Sequence, residues 1–498
     1  MIPYLRNLNH ALLAAILLAC LPSSLAQYLR QSDLPQDPAE KATVLGHWLV
    51  APHADFQGLR TVNPFLTDED LKYTKSGSEC DDRSKGDVCA DVPSWFSGLG
   101  IFNLTAEDGI RFLGVMDGGP ANACKEPRGT PDHISHKDYV VPAFAPVVSK
   151  FRVDQTHGVL LEHHCFLKGS DGEPLNGLPN TDNDDSPFTG GDCEVQLNRS
   201  VNGLDTEEVQ KIPGTNLCLA GDEYSPSMVI FNCEFGTKEC GTVLTRYIPE
   251  GLELPGASYN VRSILPGAFL HRRKGRGFES AAVSPDGKTA ILLLQSPLGD
   301  DDKWSPFATS HVIHAVKMDI TDPGNAIVAA HYLYVVENFL NWFDKRKPQD
   351  TKISSATWAS QFAGTDHDVL VVIERRPNQI KFFLADFTVA SDIKENSLTG
   401  DLAFDKLGLH DKSLKKLREL GVEPARKALF LDTGDVEKDP FIENWDSSDK
   451  MEGVAVLNSC VVAMADDNDF GLGREGQPGI TVVQLSECMD AVFNRMNT

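Results

Sequence analysis

The sequence predicts an all-β fold: a single β-propeller of six blades, with seven as the runner-up. Three observations predict it. A strand–turn–strand unit recurs along the chain. Its strands are short, aliphatic or β-branched, and bounded by turn residues. Helical periodicity is sparse. Lys406 to Leu420, with Leu407, Leu414, Leu417 and Leu420 among lysines, reads as one amphipathic surface helix.

The repeat has three full copies. In the first, Asp205-Thr-Glu-Glu-Val209 precedes Leu217-Cys-Leu-Ala-Gly-Asp222-Glu223-Tyr224. In the second, Gly277-Phe-Glu279-Ser-Ala-Ala-Val283 precedes Ser284-Pro-Asp-Gly-Lys288 and Ala290-Ile-Leu-Leu-Leu-Gln295. In the third, Met451-Glu452-Gly-Val-Ala-Val456 precedes Cys460-Val-Val-Ala-Met-Ala-Asp466, then Asp467, Asn468 and Asp469. Each copy places a Glu before one aliphatic strand and a polar end after the next. Asp286-Gly287 fits a type I′ hairpin, whose two central residues need positive φ. Weaker copies run from Ser97 to Asp117 and from Ser354 to Glu374. A β-sandwich would not account for this unit. Radial repetition does, and it turns 498 residues into one ring rather than three domains.

The expected layout is a signal peptide at 1–26, an extension at 27–44, the propeller at 45–490 and a tail at 491–498. Ala11 to Cys20 is an apolar run of signal length, too short to span a bilayer. Residues 169–192, rich in Asp, Asn, Gly and Pro, read as a polar surface insertion. A secreted, extracellular location follows from the signal peptide. Removing it takes Cys20 from the 11 cysteines and leaves an even number, which suggests disulfides. Cys80 with Cys89, Cys233 with Cys240, and Cys460 with Cys488 are candidate pairs, although spacing does not fix connectivity. Asn103 and Asn198 head glycosylation sequons.

The 71 acidic and 46 basic side chains give a charge of −25. That balance excludes a nucleic-acid partner and adsorption to anionic membranes, and favours a cation. In a propeller, residues at one repeat position converge on the axis. Glu207, Glu279 and Glu452 are therefore expected in one layer. Asp117, Asp222 or Glu223, Glu374, and Asp467, Asn468 and Asp469 are expected in another near the channel mouth. Clustered carboxylates need a cation or basic side chains to compensate them. Oxygen ligands without a His or Cys set favour Ca²⁺. A Glu at a strand start also serves structurally, as an acceptor tying neighbouring blades. Arg276 and Arg375 lie close to these acids and suit an anionic substrate. Arg272, Arg273 and Lys274 read as a solvated loop. There is no nucleophile elbow, P-loop, dinucleotide fingerprint or zinc spacing.

An ordered set of these motifs resembles a family of secreted proteins with a phytase-like domain, named for the esterase-like activity of phytase. The set comprises Met116-Asp-Gly-Gly-Pro120, Leu175-Asn-Gly-Leu-Pro-Asn180, Asp205-Thr-Glu-Glu-Val209, Asp222-Glu-Tyr-Ser-Pro226, Arg276-Gly-Phe-Glu-Ser280, Gln295-Ser-Pro-Leu298, Ile373-Glu-Arg375 and Met451-Glu-Gly453 with Asp467-Asn-Asp-Phe470. Gly118 stands where the family usually has Arg. The resemblance spans about residues 45–485 and implies a propeller with a hydrolase-like label. The expected function is a Ca²⁺-dependent hydrolase of phosphate esters, acting on a small-molecule substrate. Glu279, Arg276 and Asp467 would be catalytic, and Arg276, Arg375 and Tyr224 would bind substrate. The alternatives are a carboxyl-ester or lactone hydrolase with the same metal site, or a non-catalytic binding propeller with structural cations.

Overall fold

The computed structural model describes residues 28–498 apart from 52–57, 76–92, 106, 125–135, 192, 300–306, 344–350, 378, 401, 409, 438–449 and 472–477. The signal-peptide expectation and the Cys80–Cys89 pair fall outside the described residues. The fold is all-β, built of sheets with four or five strands and few helices. A first strand, β1 (Thr43–Leu49), waits for its partner at the far end of the chain. Sheet I holds β2 (Gly98–Asn103) and β3 (Arg111–Val115). A small accessory sheet follows, formed by β4 (Ala121–Ala123) and β5 (His136–Tyr139). Sheet I is then completed by β6 (Val147–Asp154) and β7 (Gly158–Phe166), and the accessory sheet by β8 (Ser186–Thr189) and β9 (Val195–Gln196).

Sheet II contains β10 (Thr206–Lys211), β11 (Leu217–Asp222), β12 (Ser227–Asn232), β13 (Val243–Pro249) and β14 (Asn260–Leu265). Sheet III contains β15 (Phe278–Val283), β16 (Thr289–Leu294), β17 (Val312–Asp319) and β18 (Ile327–Val335). Sheet IV contains β19 (Lys352–Trp358), β20 (Val369–Arg376), β21 (Gln379–Asp386) and β22 (Arg426–Asp432). Sheet V contains β23 (Met451–Asn458), β24 (Val461–Asp466) and β25 (Gly479–Gln484), with β1 antiparallel to β25 on its outer edge.

The first strands of sheets I to V pack in a closed cycle: β2 on β10, β10 on β15, β15 on β19, β19 on β23, and β23 on β2. The cycle has five members where the sequence counts six. The accessory sheet, inserted between β3 and β10, supplies the sixth sheet outside it. The core fills the wedges between neighbouring sheets. In β20, Leu370 and Val372 join the cluster shared with sheet III, while Val369, Val371 and Ile373 join the cluster shared with sheet V. Alternate side chains of one strand thus enter opposite wedges, which is why these strands are apolar throughout.

Both ends of the described region are packed. Leu29, Leu34 and Val44 are buried in the extension. The C-terminal residues form a helix, Met489–Asn497, that buries Met489, Val492 and Phe493. The expected surface helix is observed at His410–Glu419. The 169–192 segment is exposed at its start but buries Leu175, Asn180, Asp184 and Asp185. Among the described residues, four disulfides join Cys124 to Cys193, Cys165 to Cys240, Cys218 to Cys233, and Cys460 to Cys488. The Cys460–Cys488 pair agrees with expectation. Cys233 and Cys240 instead find separate partners, because Cys218 on β11 lies beside β12 and Cys165 on β7 reaches the loop before β13. Such bonds fit an oxidising, extracellular environment. No described helix is long and apolar enough to cross a membrane.

Candidate functional site

The repeat Glu is aimed by a backbone device. In β10, Thr206 pairs with Asp222 and Glu208 with Gly221, so Glu207 is skipped. In β15, Phe278 pairs with Leu294 and Ser280 with Leu293, so Glu279 is skipped. In β23, Met451 pairs with Asp466 and Gly453 with Ala465, so Glu452 is skipped. Sheet IV has the same irregularity at Ser354, between Ile353 and Ser355. A bulge leaves one residue unmatched and re-aims its side chain. Here it turns three glutamates into a shared cavity of about 330 Å³ while their neighbours stay in the core.

One wall of the cavity is acidic. Oxygens of Asp117, Asp205 and Glu207 all lie within 4.8 Å of one another. Asp117 accepts from the Gly119 backbone N–H at 2.9 Å, and Asp205 from that of Gly118 at 2.7 Å. A Cβ on residue 118 would stand 2.8 Å from Asp205 Oδ1 and 3.1 Å from the Gly177 carbonyl, so glycine gives this carboxylate its close approach. Burial raises the pKa of Asp117 to about 7, helped by Asp469. Burial also pushes Asp205 and Glu207 well up, with Glu279 and Glu223 adding repulsion at Glu207. Lys137 lines this side, 3.8 Å from Asp185. Tyr224 donates to the Gly177 carbonyl at 2.9 Å, and Tyr139 meets the Tyr224 hydroxyl at 2.8 Å.

The other wall carries most of the cations, alongside Glu452 and Asp469. Arg375 lies 2.5 Å from Glu452, and Lys450 lies 2.8 Å from both Glu452 and Asp469. Burial opposes the charge on Glu452, but Lys450 and Arg375 outweigh it and hold its pKa at about 2. Arg276 donates to Gln295 Oε1 at 2.6 Å. Lys352 lines the same wall. Between the walls stands Glu279, pushed well up by burial and then by Glu223 and Glu452. Its Oε2 is buried with no hydrogen-bond partner among the described residues.

The cavity thus brings together Asp117, Glu207, Glu223, Tyr224, Arg276, Glu279, Arg375, Glu452 and Asp469, as the sequence predicts. Four expected ligands are not on its lining. Asp222 forms a fully buried ion pair with Arg246 at 2.5 Å. Glu374 accepts from Tyr334 at 2.6 Å and pairs with Lys427. The reason is strand alternation. Glu374 and Arg375 point to opposite sides of β20, and Arg375 faces the cavity, as do Glu223 and Gln295, the residues that follow β11 and β16. Asp467 and Asn468 are buried just behind the lining, with Asp467 3.7 Å from Lys450. Their polar side-chain atoms lack hydrogen-bond partners among the described residues.

The sequence reading missed Lys137, Asp185, Asp205, Lys352 and Lys450. Asp205 had a signal, since two-residue spacing from Glu207 suggests a shared strand face. Lys137 and Asp185 had none, because long-range contacts of the accessory sheet bring them in. The basic loop is not simply solvated. Arg272 is buried against Asp184 and donates to the Glu223 carbonyl at 3.1 Å, and Lys274 lines the cavity. Among the described residues no histidine lies on the lining: His314 bridges His331 at 2.8 Å and Asp405 at 3.1 Å, and His367 holds Asp386 at 2.9 Å. Asn103 and Asn198 are both exposed.

Among solved structures, the chain is distantly similar to the major allergen Mala s 1 of Malassezia sympodialis, at 10% identity and a TM-score of 0.30, covering 79% of each chain. It is similar to the periplasmic gluconolactonase PpgL of Pseudomonas aeruginosa at 11% identity and 0.26, covering 79% of this chain and 87% of that one. NanB sialidase of Streptococcus pneumoniae, as a K499G mutant, gives 8% and 0.32, covering 83% and 58%. No curated protein matches significantly. The family model for the phytase-like domain matches residues 95–470, from β2 through the polar end of the third full repeat, and so takes in both walls of the cavity. The chain belongs to the phytase-like family, described by the esterase-like activity of phytase.

Proposed function

We propose that this protein is a secreted, metal-dependent hydrolase of phosphate esters, carried on a propeller of five blades with an accessory sheet. The observation that carries the reading is the division of the cavity into a three-carboxylate wall and a cationic wall. Asp117, Asp205 and Glu207 offer an all-oxygen donor set, which suits Ca²⁺ and other hard cations. A cation held there would polarise the phosphoryl oxygen and lower the pKa of a coordinated water. The chain's own residues do the rest. Arg276 and Arg375 orient the anionic ester and offset its charge. Glu279, with its raised pKa, holds the proton that a departing alkoxide needs. Glu452 stays ionised between Arg375 and Lys450 and keeps them in place, so it acts as a positioning residue here. Asp467, behind the lining, supports Lys450 rather than the reacting atoms.

One observation favours a binding role without turnover. The Arg375–Glu452–Lys450–Asp469 network already sets two acids against its two bases. Activity decides between the two. Calcium-loaded protein is expected to release phosphate from phytate or p-nitrophenyl phosphate, with Glu279→Gln strongly impaired. No release, together with a Glu279→Gln variant altered only in stability, would defeat the hydrolase reading. Release of nitrophenol from p-nitrophenyl acetate alone would move the substrate to carboxyl esters.

A further inference from the structure

Lys352 opens β19, and its ladder partner across the sheet is Arg375 on β20. Directly opposed side chains in an antiparallel pair stand about 5 Å apart at Cβ, and like charges there are destabilising. Arg276 belongs to the same wall of the cavity, held by Gln295. The next residue of β19, Ile353, donates its N–H to the Gln295 carbonyl at 2.9 Å, which fixes the start of β19 beside Arg276. The Lys352 ammonium makes no side-chain hydrogen bond or ion pair among the described residues, although carboxylates line the same cavity. Glu452 and Asp469 are instead occupied by Arg375 and Lys450. A chain that places a lysine against two arginines, with no acid assigned to it, leaves repulsion that an incoming anion would relieve.

We propose that Lys352 completes a subsite with Arg276 and Arg375 that takes a tetrahedral oxyanion, the phosphoryl or sulfuryl group of a ligand. This inference deepens the hydrolase reading by naming where the phosphoryl group sits. It uses protein cations alone and needs no metal. The state of the amine is consistent with it. Burial, then Arg276 and Arg375, lower the Lys352 pKa to about 7, against a partial opposing pull from Glu279, while Lys450 adds to the lowering. An anion seated among these groups would reverse the balance and restore the ammonium, giving three cations around one oxyanion.

Sulfate is the probe, because it does not titrate near neutral pH. Calorimetry of the intact protein in chelator at pH 7, in two buffers of different ionisation enthalpy, is expected to show sulfate binding with proton uptake. Lys352→Met is expected to weaken binding at least tenfold and abolish the uptake, while Lys352→Arg keeps the binding without the uptake. Without sulfate, Lys352→Met is also expected to melt above the parent protein, and to gain less on adding sulfate. That pair of signs separates lost repulsion from simple misfolding. Absence of sulfate binding in chelator, or equal binding by Lys352→Met, would overturn the subsite. Phosphate-ester hydrolysis by Lys352→Met with unchanged KM would also overturn it, yet leave the hydrolase reading standing. Sulfate binding by a protein that releases no phosphate would do the reverse.

Discussion

The two walls of the cavity solve the same problem in opposite ways. On the wall built by sheets I and II, Asp117, Asp205 and Glu207 crowd together and are pushed toward protonation by burial. On the wall built by sheets III to V, Glu452 is equally buried but stays fully ionised, because Arg375 and Lys450 touch it. Glu207 and Glu452 occupy the same bulge position of the repeat. The difference therefore lies in the neighbours, not in the backbone. A buried carboxylate touched by cations keeps its charge, and one crowded among other carboxylates is driven toward protonation unless a cation compensates it.

The largest expected effect comes from disarming the acidic wall. Asp205→Asn combined with Glu207→Gln should lower kcat/KM by roughly 10²–10³-fold, since a metal supplies several kcal/mol of transition-state stabilisation. It should also remove any rise in melting temperature on adding Ca²⁺. Full activity in the double variant would mean that the two walls do not differ in the way described. On the opposite wall, Arg375→Ala leaves Glu452 with Lys450 alone. A loss of about 3 kcal/mol in urea unfolding is expected, the scale of breaking a buried pair. A loss under about 0.5 kcal/mol would place that pair among exposed ones.

The walls should also differ in the sign of their pH dependence, in chelated protein. Asp117 has a folded pKa of about 7, above its ordinary 3.8. The folded state then binds more protons, so this contribution is full below about pH 4 and is lost as pH rises toward 7. Glu452 has a folded pKa of about 2, below its ordinary 4.5. Its contribution, on the order of 3 kcal/mol, is full above about pH 4.5 and is lost as pH falls toward 2. Glu452→Gln should weaken the acid limb alone, and Asp117→Asn should reduce only the neutral limb, to which Asp205 and Glu207 also contribute. Identical profiles for the two variants would break the comparison. The smallest effect on turnover belongs to Glu374→Gln. It should weaken the contacts to Tyr334 and Lys427 and leave kcat/KM unchanged, because its side chain faces away from the cavity.

Much of this was legible in the sequence. The repeat grammar marked Glu207, Glu279 and Glu452 as a convergent layer, because position in a radial repeat maps onto position around an axis. The second layer was misplaced by one residue at Asp222 and Glu374. Strand alternation turns such a slip into the opposite side of the sheet, as Arg375 and Glu374 illustrate. The accessory sheet was not marked in the sequence, because its short strands carry no copy of the Glu–strand–turn–strand unit. Lys137 and Asp185 were invisible, since only tertiary packing of that sheet carries them into the cavity. The Cys165–Cys240 bond was likewise hidden, as its cysteines are 75 residues apart.

Metal binding tests the central claim most directly. Protein stripped with chelator and titrated with Ca²⁺ should take up about one ion per chain at the acidic wall, and the Asp205→Asn, Glu207→Gln variant should take up none there. Full-stoichiometry binding by that variant, or no binding by the parent protein, would contradict the account.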